Sequence, residues 1–487
     1  MRLWRYIFLW VALVSIGDAV NAAPRPNVLF ISVDDLNTDL GCFGRTDIHS
    51  PNIDRLAARG LLFENAHCPS PKCAPSRAAV LTGLRPTTTG LYDNSQWWRP
   101  NLPGVVTLPQ HFKKNGYFVA GAGKIHHHTE GNNPPDQWDE YFHQVFDHRW
   151  IDDPKHKGSY PLSGLKPDMP EFDWGTPPLN ENEYGDVLAT DWIIKKLQAG
   201  VGREKPFFLA LGLYHPHLPL YAPESYFEQY PQDHLVLPLI KTNDLDDLPA
   251  AALAFIDPSG RYKQVSRAKK MPEFVQAYRA SLTFADTQVG RVLNALDRSG
   301  AATNTIIVLW SDHGYHLGEK RHLFKQTLWE RATHVPLIVV APKLTRPGSR
   351  CERPVSLVDL FPTINELCGL PAPQNLDGTS LMPLLRNPKK PWKQPALISW
   401  FQDNHALVVE RWHYIRYADG SEELYDRQND PHQWNNLAGN KRGKKSLEQF
   451  RKIIPSHTAE PVLNKRAFEF DPVQYTWTRK SDGQVIK

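Results

Sequence analysis

Long apolar runs are scarce in this 487-residue chain. Beyond the first two dozen residues none reaches the ~18 apolar residues that a membrane helix needs, which excludes stable membrane insertion of the body of the protein. The Asn-x-Ser/Thr pattern is absent, so nothing marks a site of N-glycosylation, and a bacterial periplasmic or secreted protein is favoured over a lysosomal one. An excess of charge is lacking too. Lys+Arg 56 against Asp+Glu 52 leaves +4, too weak a field to argue for a nucleic-acid partner. Cysteine is sparse and odd in number: of Cys42, Cys68, Cys73, Cys351 and Cys368, at least one is free, modified or bonded outside the chain.

What is present describes a folded enzyme-sized protein. A hydrophobic content of 41% excludes disorder as the main state, and the length suits about three average domains or one large α/β domain with an appendage. The 42 prolines imply long, stiff surface connections. Arg2 and Arg5 precede an apolar run over residues 6–16, and Val20-Asn21-Ala22 offers small residues for cleavage. Residues 1–23 therefore read as an export signal, too short to span a bilayer comfortably.

Residues 27–33 are a short apolar run that ends in Asp34-Asp35. Similar runs at residues 117–122, 206–214 and 305–310 end at Gly123-Lys124, His215-Pro216-His217 and Asp312-His313-Gly314. Between them lies a helical pattern, clearest at Tyr278, Leu282, Ala285, Val289, Val292 and Leu296. Strands alternating with helices predict an α/β domain with a mostly parallel sheet covered on both faces. Ligands gather at the carboxyl ends of such strands, so the polar residues after each run are expected to converge on one crevice.

Residues 132–185 lack periodicity and read as long loops over the core. After residue 390 the pattern changes to short strands, with a hairpin over residues 414–425 that turns at Asp419-Gly420. The predicted organisation is an export signal at 1–23, a catalytic domain at 24–390 and a smaller antiparallel subdomain at 391–487. Lys441, Arg442, Lys444 and Lys445 read as solvated surface or as an anionic-polymer contact. Trp97, Trp98 and Arg99 read either as a platform that stacks on a sugar and pairs with an anionic group or as aromatics packed under a loop.

Cys73-Ala74-Pro75-Ser76-Arg77, continued by Leu81-Thr82-Gly83 to Arg85, resembles the signature of the type I sulfatases, C-x-P-S-R with a T-G-x-R-like tail. The resemblance implies an alkaline-phosphatase-like fold: a large mixed, mostly parallel sheet sandwiched by helices. It also implies that Cys73 is oxidised to Cα-formylglycine by a formylglycine-generating enzyme that reads Pro75 and Arg77. A hydrated aldehyde has a physical merit here. One hydroxyl attacks sulfur, and the second later loses its proton and expels sulfate through C–O cleavage, which regenerates the aldehyde. Without the modification, Cys73 reads as an inert free thiol near a helix start.

A hard divalent cation bound by carboxylates lowers the pKa of an attacking oxygen. Adjacent carboxylates at Asp34 and Asp35 suit Ca²⁺, though the pair alone also suits a helix cap or a solvated loop. The family resemblance adds Asp312 and His313, and Cys73 itself, to the metal group. An imidazole is an atypical partner for a hard ion, which leaves His313 either on the metal or against the nucleophile.

By the same resemblance, Arg77, Lys124, His127, His217 and Lys325 join Cys73 as catalytic residues. Lys124 and Lys325 match the sulfate-binding positions, His217 the proton donor and His127 the group that assists elimination. His126 and His128 flank His127 and leave its register open, and three consecutive histidines also suit an adventitious metal site. His215 reads as a packed or hydrogen-bonded neighbour of His217, and Lys320 and Arg321 as a solvated loop.

Residues 33–36, 50–54, 91–93, 208–210 and 332–337 are similar to the iduronate-2-sulfatase branch, and residues 423–426 with Asp430-Pro431 resemble the C-terminal sulfatase segment. Residues 132–185 depart from that branch and contain no cysteine. The implied function is a Ca²⁺-dependent sulfuric ester hydrolase acting on a sulfated oligo- or polysaccharide, at the 2-O-sulfate of a uronate. The alternatives are a formylglycine-dependent phosphate or phosphonate monoester hydrolase, and a noncatalytic carbohydrate-binding protein.

Overall fold

The apolar run at Asn27–Val33 is a strand buried along its whole length. Its alternation divides two cores, with Leu29, Ile31 and Val33 in one and Val28 and Phe30 in the other, as helices on both faces of a sheet require. The computed structural model describes residues 25–487 except 157 and 167, so the predicted export signal lies outside the described residues.

The main sheet has nine strands: β1 (Asn27–Val33), β2 (Leu61–His67), β3 (Phe118–Gly123), β4 (Glu140–Phe142), β5 (Phe207–Leu213), β6 (Thr305–Ser311), β7 (His334–Val340), β8 (Ser349–Cys351) and β9 (Val355–Ser356). Their order is β8-β2-β7-β6-β1-β5-β3-β4, with β9 also on β2. The run β6-β1-β5-β3-β4 is parallel, and β7 is antiparallel to both of its neighbours. The sheet is therefore mixed and mostly parallel, as predicted.

Six helices matter for the two faces: α1 (Pro51–Arg59), α2 (Cys73–Thr82), α3 (Leu108–Lys114), α4 (Gly185–Gln198), α5 (Met271–Ser299) and α6 (Leu360–Leu367). Helices α1, α4 and α5 cover one face, while α2, α3 and α6 cover the other. The predicted stripe of α5 from Tyr278 to Leu296 is buried throughout, and each large apolar side chain so buried contributes about 1.5–3 kcal/mol. Gly300, at φ 76°, ends the helix in the left-handed region that glycine tolerates.

Past residue 390 a four-stranded antiparallel sheet runs β10 (Ala396–Ser399), β11 (His405–Val408), β12 (Trp412–Arg416) and β13 (Glu422–Asp426). The expected turn at Asp419-Gly420 joins the last two strands, with Gly420 at φ 84°. One face of this sheet packs on Leu328 and Trp329, just beyond Lys325. Leu447 and Phe450 of α7 (Lys444–Ile453) cover the other. A second antiparallel sheet, which the sequence did not reveal, comprises β14 (Phe468–Asp471), β15 (Thr476–Arg479) and β16 (Val485–Ile486) and packs on Trp97. Residues 132–185 are mostly turns, but they also supply the edge strand β4 and pair Trp174–Gly175 with Leu220–Tyr221. Lys441, Arg442, Lys444 and Lys445 are exposed. Among the described residues no helix is long and apolar enough to cross a membrane.

Candidate active site

Four adjacent parallel strands deliver the site. Asp34-Asp35 follow β1, Asp312-His313 follow β6, His215-Pro216-His217 follow β5, and Lys124 follows β3. Gly123 shapes the last of these ends: its φ is 75°, and a Cβ there would stand 2.1 Å from Gly212 O. Helix α2 is buried over its whole length and starts at Cys73, so its N-terminal N–H groups favour negative charge beside that residue.

Arg77, one turn along α2, ties the strand ends together. Its Nε donates to Asp312 Oδ2 at 2.8 Å, and its Nη2 lies 3.3 Å from Asp34 Oδ1. Its Nη1 donates to the carbonyls of Lys124 and Ile125. The Ser76 hydroxyl donates to Asp312 O at 2.6 Å. Burial disfavours the Arg77 charge, yet Asp312 and Asp34 outweigh it and raise its pKa above the ordinary range.

The two aspartates after β1 differ. Burial pushes the Asp34 carboxyl up, but Lys124, which donates to Oδ2, and Arg77 outweigh it and hold Asp34 well below the carboxylate range. Burial dominates at Asp35 and raises it to about 7 against the pull of Lys325 and His313. Asp35 also occupies the left-handed region at φ 59°, a conformation costing about 1–3 kcal/mol. Lys325 donates to both of its carboxylate oxygens, at 2.7 and 2.6 Å, which offsets that strain.

His313 Nδ1 lies 3.1 Å from Asp35 Oδ1 and 3.2 Å from Gly314 O, so this nitrogen carries the proton toward acceptors. Its Nε2 lies 3.2 Å from Cys73 Sγ. His313 thus touches the side chain at position 73 while standing among the carboxylates. Burial raises the Cys73 thiol pKa, with Lys325 and Lys124 opposing.

The donor set fits a hard cation. Asp34 Oδ1 is buried without a hydrogen-bond donor, and ligand atoms of Asp34, Cys73, Asp312 and His313 lie within 4.8 Å of one another. Asp35, Cys73 and His217 form a second such group. Two carboxylates in the first group and Asp35 in the neighbouring one are oxygen donors of the kind a hard divalent ion takes.

His217 Nδ1 donates to Leu218 O at 2.6 Å, leaving Nε2 to face Asp35 Oδ2 at 4.0 Å. Burial, with Lys124 and Lys325, keeps this imidazole neutral well below its ordinary value. The histidine run separates into three environments. His126 stacks on Trp98 and bonds Gln137 at 3.1 Å, away from the cluster. His127 meets Asn94, whose Oδ1 accepts from Ala74 N–H at 2.9 Å beside Cys73. His128 packs against the His127 and His217 rings. His215, as expected, is a bonded neighbour, held between Asp186 at 2.7 Å and Asp147 at 3.2 Å.

The structure decides between the two readings of the tryptophans and changes that of Lys320. Trp97 and Trp98 are not a sugar platform: both are buried, and their indole N–H groups donate to Glu130 O and Asn132 O. Arg99 pairs with Asp136 at 2.8 Å. Lys320 is not solvated but buried, paired with Asp244 at 2.6 Å; Arg321 is exposed. All five cysteines are free. Asn94, Thr129 and Lys465 escaped the sequence reading, since they lie in aperiodic loops and gain significance only through tertiary contact.

Carboxylates, cations and imidazoles converging at the carboxyl ends of parallel strands, around a residue at a helix N-terminus, define a hydrolase site suited to an anionic ester. Residues 26–370 match the family model Sulfatase, and residues 318–459 match N-sulphoglucosamine sulphohydrolase, C-terminal. The chain belongs to the type I sulfatase family, close to the iduronate 2-sulfatase branch, and is a sulfuric ester hydrolase. It is 38% identical to a Sulfatase of Formosa agariphila, over 95% of this chain and 92% of the relative. To the Iduronate 2-sulfatase of Homo sapiens it is 34% identical, over 76% and 74%. Among solved structures, the phosphonate monoester hydrolase of Agrobacterium radiobacter superposes with TM-score 0.74 at 22% identity, covering 92% of this chain and 98% of that one. A 2-O GAG sulfatase gives 0.66 at 24% identity, over 88% and 91%. These two superpositions show the alkaline-phosphatase-like fold.

Proposed function

We propose that this exported enzyme removes the 2-O-sulfate of a uronate within a sulfated oligo- or polysaccharide. Cys73, matured to Cα-formylglycine by a formylglycine-generating enzyme, would be its nucleophile, and Asp34, Asp35, Asp312 and His313 would hold Ca²⁺. The observation that carries the reading is the position of residue 73. Its side chain lies 3.2 Å from His313 Nε2, and its ligand atom shares one small space with those of Asp34, Asp312 and His313. Support for the substrate comes from the relatives named Iduronate 2-sulfatase, 33–34% identical over about three quarters of the chain.

The protein's own groups divide the work. Lys124 and Lys325 neutralise sulfate oxygens, as buried cations do strongly. His217 offers Nε2, the nitrogen not taken by Leu218, as the site from which a proton passes to the leaving oxygen. The anionic ester favours the charged imidazolium that this transfer needs. His127, placed beside the start of α2 by Asn94, accepts the proton released when sulfate leaves. Arg77 keeps Asp34 and Asp312 in place. The formylglycine supplies a hydrated aldehyde that can take and later release the sulfuryl group, and Ca²⁺ supplies the charge that lowers the pKa of its hydroxyl.

The test is mass spectrometry of the peptide containing residue 73, from protein made in its own host, beside sulfate release from a panel of sulfated uronates. A formyl group at position 73, turnover lost in Cys73→Ala and turnover lost to a chelator and restored by Ca²⁺ are expected. Full activity with an unmodified thiol, or faster turnover of a paired aryl phosphate, would overturn the reading.

A further inference from the structure

A backbone strap at residues 459–465 crosses the loop that carries Asn94. Ala459, Val462 and Lys465 donate main-chain N–H groups to Thr87 O, Gly90 O and Ser95 O at 2.8, 3.0 and 2.7 Å. From the loop, Tyr92 OH, Gln96 Nε2 and Asn101 Nδ2 donate to the carbonyls of Ala459, Val462 and Leu463 at 2.9, 2.8 and 2.9 Å. Only residue 459 of this strap falls within the stretches matched by the family models, which end at 370 and 459. The strap delivers Lys465 over the Trp97 ring, where its Nζ donates to Thr129 Oγ1 at 2.6 Å.

Thr129 Oγ1 is over-supplied with donors. Asn132 Nδ2 approaches it at 2.7 Å and His127 Nδ1 at 3.0 Å. Asn94 Oδ1 is taken by the Ala74 N–H, so its Nδ2 faces His127 Nε2 as a donor and leaves the imidazole proton on Nδ1. Three donors thus meet one hydroxyl with two lone pairs, a local surplus that an incoming acceptor oxygen would relieve. Among the described residues Lys465 has no carboxylate within 4.0 Å. The nearby Asp93 lies instead 4.0 Å from Lys72, the residue preceding Cys73. Burial lowers the Lys465 ammonium to about 8, with Asp93 opposing, as expected of a cation without a carboxylate in direct contact.

We propose that Lys465 is the recognition cation for a second anionic group, a carboxylate or a further sulfate, on the sugar whose ester is cleaved. The proposal rests on the acidic-sugar reading above and deepens it. Lys465 Nζ is joined to His127 Nδ1 through Thr129 Oγ1, by contacts of 2.6 and 3.0 Å, so an anion held by the ammonium lies within two hydrogen bonds of that imidazole. An anion there would satisfy the free ammonium protons and take up the donor surplus at Thr129.

The test measures kcat and KM of wild type, Lys465→Gln and Lys465→Arg on pairs of substrates that differ in one anion. The pairs are a 2-O-sulfated uronate disaccharide and its carboxyl-reduced form, and glucosamine 2-N,6-O-disulfate and its 6-O-monosulfate. On the pair whose anion is read, Lys465→Gln should lose about 10- to 100-fold in kcat/KM on the dianionic member, through KM. Its loss on the matching monoanion should be at least tenfold smaller, and Lys465→Arg should recover most of the loss. The pair that shows this distinguishes carboxylate from sulfate. If wild type acts on the disulfated amino sugar but on no uronate, the uronate reading fails while Lys465 is still tested. Equal losses on both members of each pair, or a fall in kcat without a change in KM, would mean that Lys465 only braces Thr129 and His127, and would overturn the proposal. Wild type that does not prefer the dianion in either pair would overturn it as well.

Discussion

Arg77 and Asp312 lie 235 positions apart and form a fully buried ion pair, in which Nε–H donates to Oδ2 at 2.8 Å. The same guanidinium reaches Asp34, so one side chain on α2 fixes the ends of β1 and β6. Removing it would deprive buried Asp312 of its guanidinium donor and leave Asp34 to Lys124 alone. Arg77→Met is expected to cost about 3–5 kcal/mol of stability, read by urea denaturation, together with nearly all turnover. Arg77→Lys keeps the charge without the fork and should fall between the two. A loss under about 1 kcal/mol in Arg77→Met would contradict the anchoring role.

Proton donation matters most when the leaving alcohol is poor. His217→Ala is therefore expected to slow sugar sulfates at least about tenfold more than activated aryl sulfates. Paired kcat/KM values on the two substrate types provide the check, and equal losses on both would remove His217 from the role of acid.

His215 should give the fold a measurable pH signature. Burial disfavours its charge, but Asp186 and Asp147 outweigh burial and raise it from 6.5 to about 10. A histidine raised on folding contributes stability that is fully present below about pH 6.5 and is lost as pH rises through about 10. Within that window the loss from this group is at most about 1.4 kcal/mol per pH unit. His215→Gln should be less stable than wild type near pH 6, with the difference narrowing toward pH 10. Denaturation curves across that range decide it, and a difference independent of pH would rule out the charged His215.

Trp98 is packed rather than presented to a ligand. It is 3% exposed, bonded to Asn132 O and stacked on His126. Trp98→Ala should cost about 3–5 kcal/mol while leaving the ranking of sugar substrates unchanged. A switch in that ranking without loss of stability would restore the sugar-platform reading.

The order of apolar runs and the ionisable residues at their ends determined the α/β class, the mostly parallel sheet and the clustering of Asp34, Lys124, His217 and Asp312. That much follows from local pattern, because a strand buried on both faces must be apolar and its carboxyl end must carry the chemistry. The Cys73 to Arg77 motif likewise determined the family. Tertiary structure alone decided which histidine of the 126–128 run meets Trp98 and which meets Asn94, since that depends on how a loop settles against α2. It also decided that Lys320 is buried against Asp244 and that Trp97 lies beneath a late antiparallel sheet. Lys465 shows the reason most directly. Its partner Thr129 lies 336 positions away, and no periodicity or spacing in a sequence encodes a contact made only when a distant strap crosses a loop.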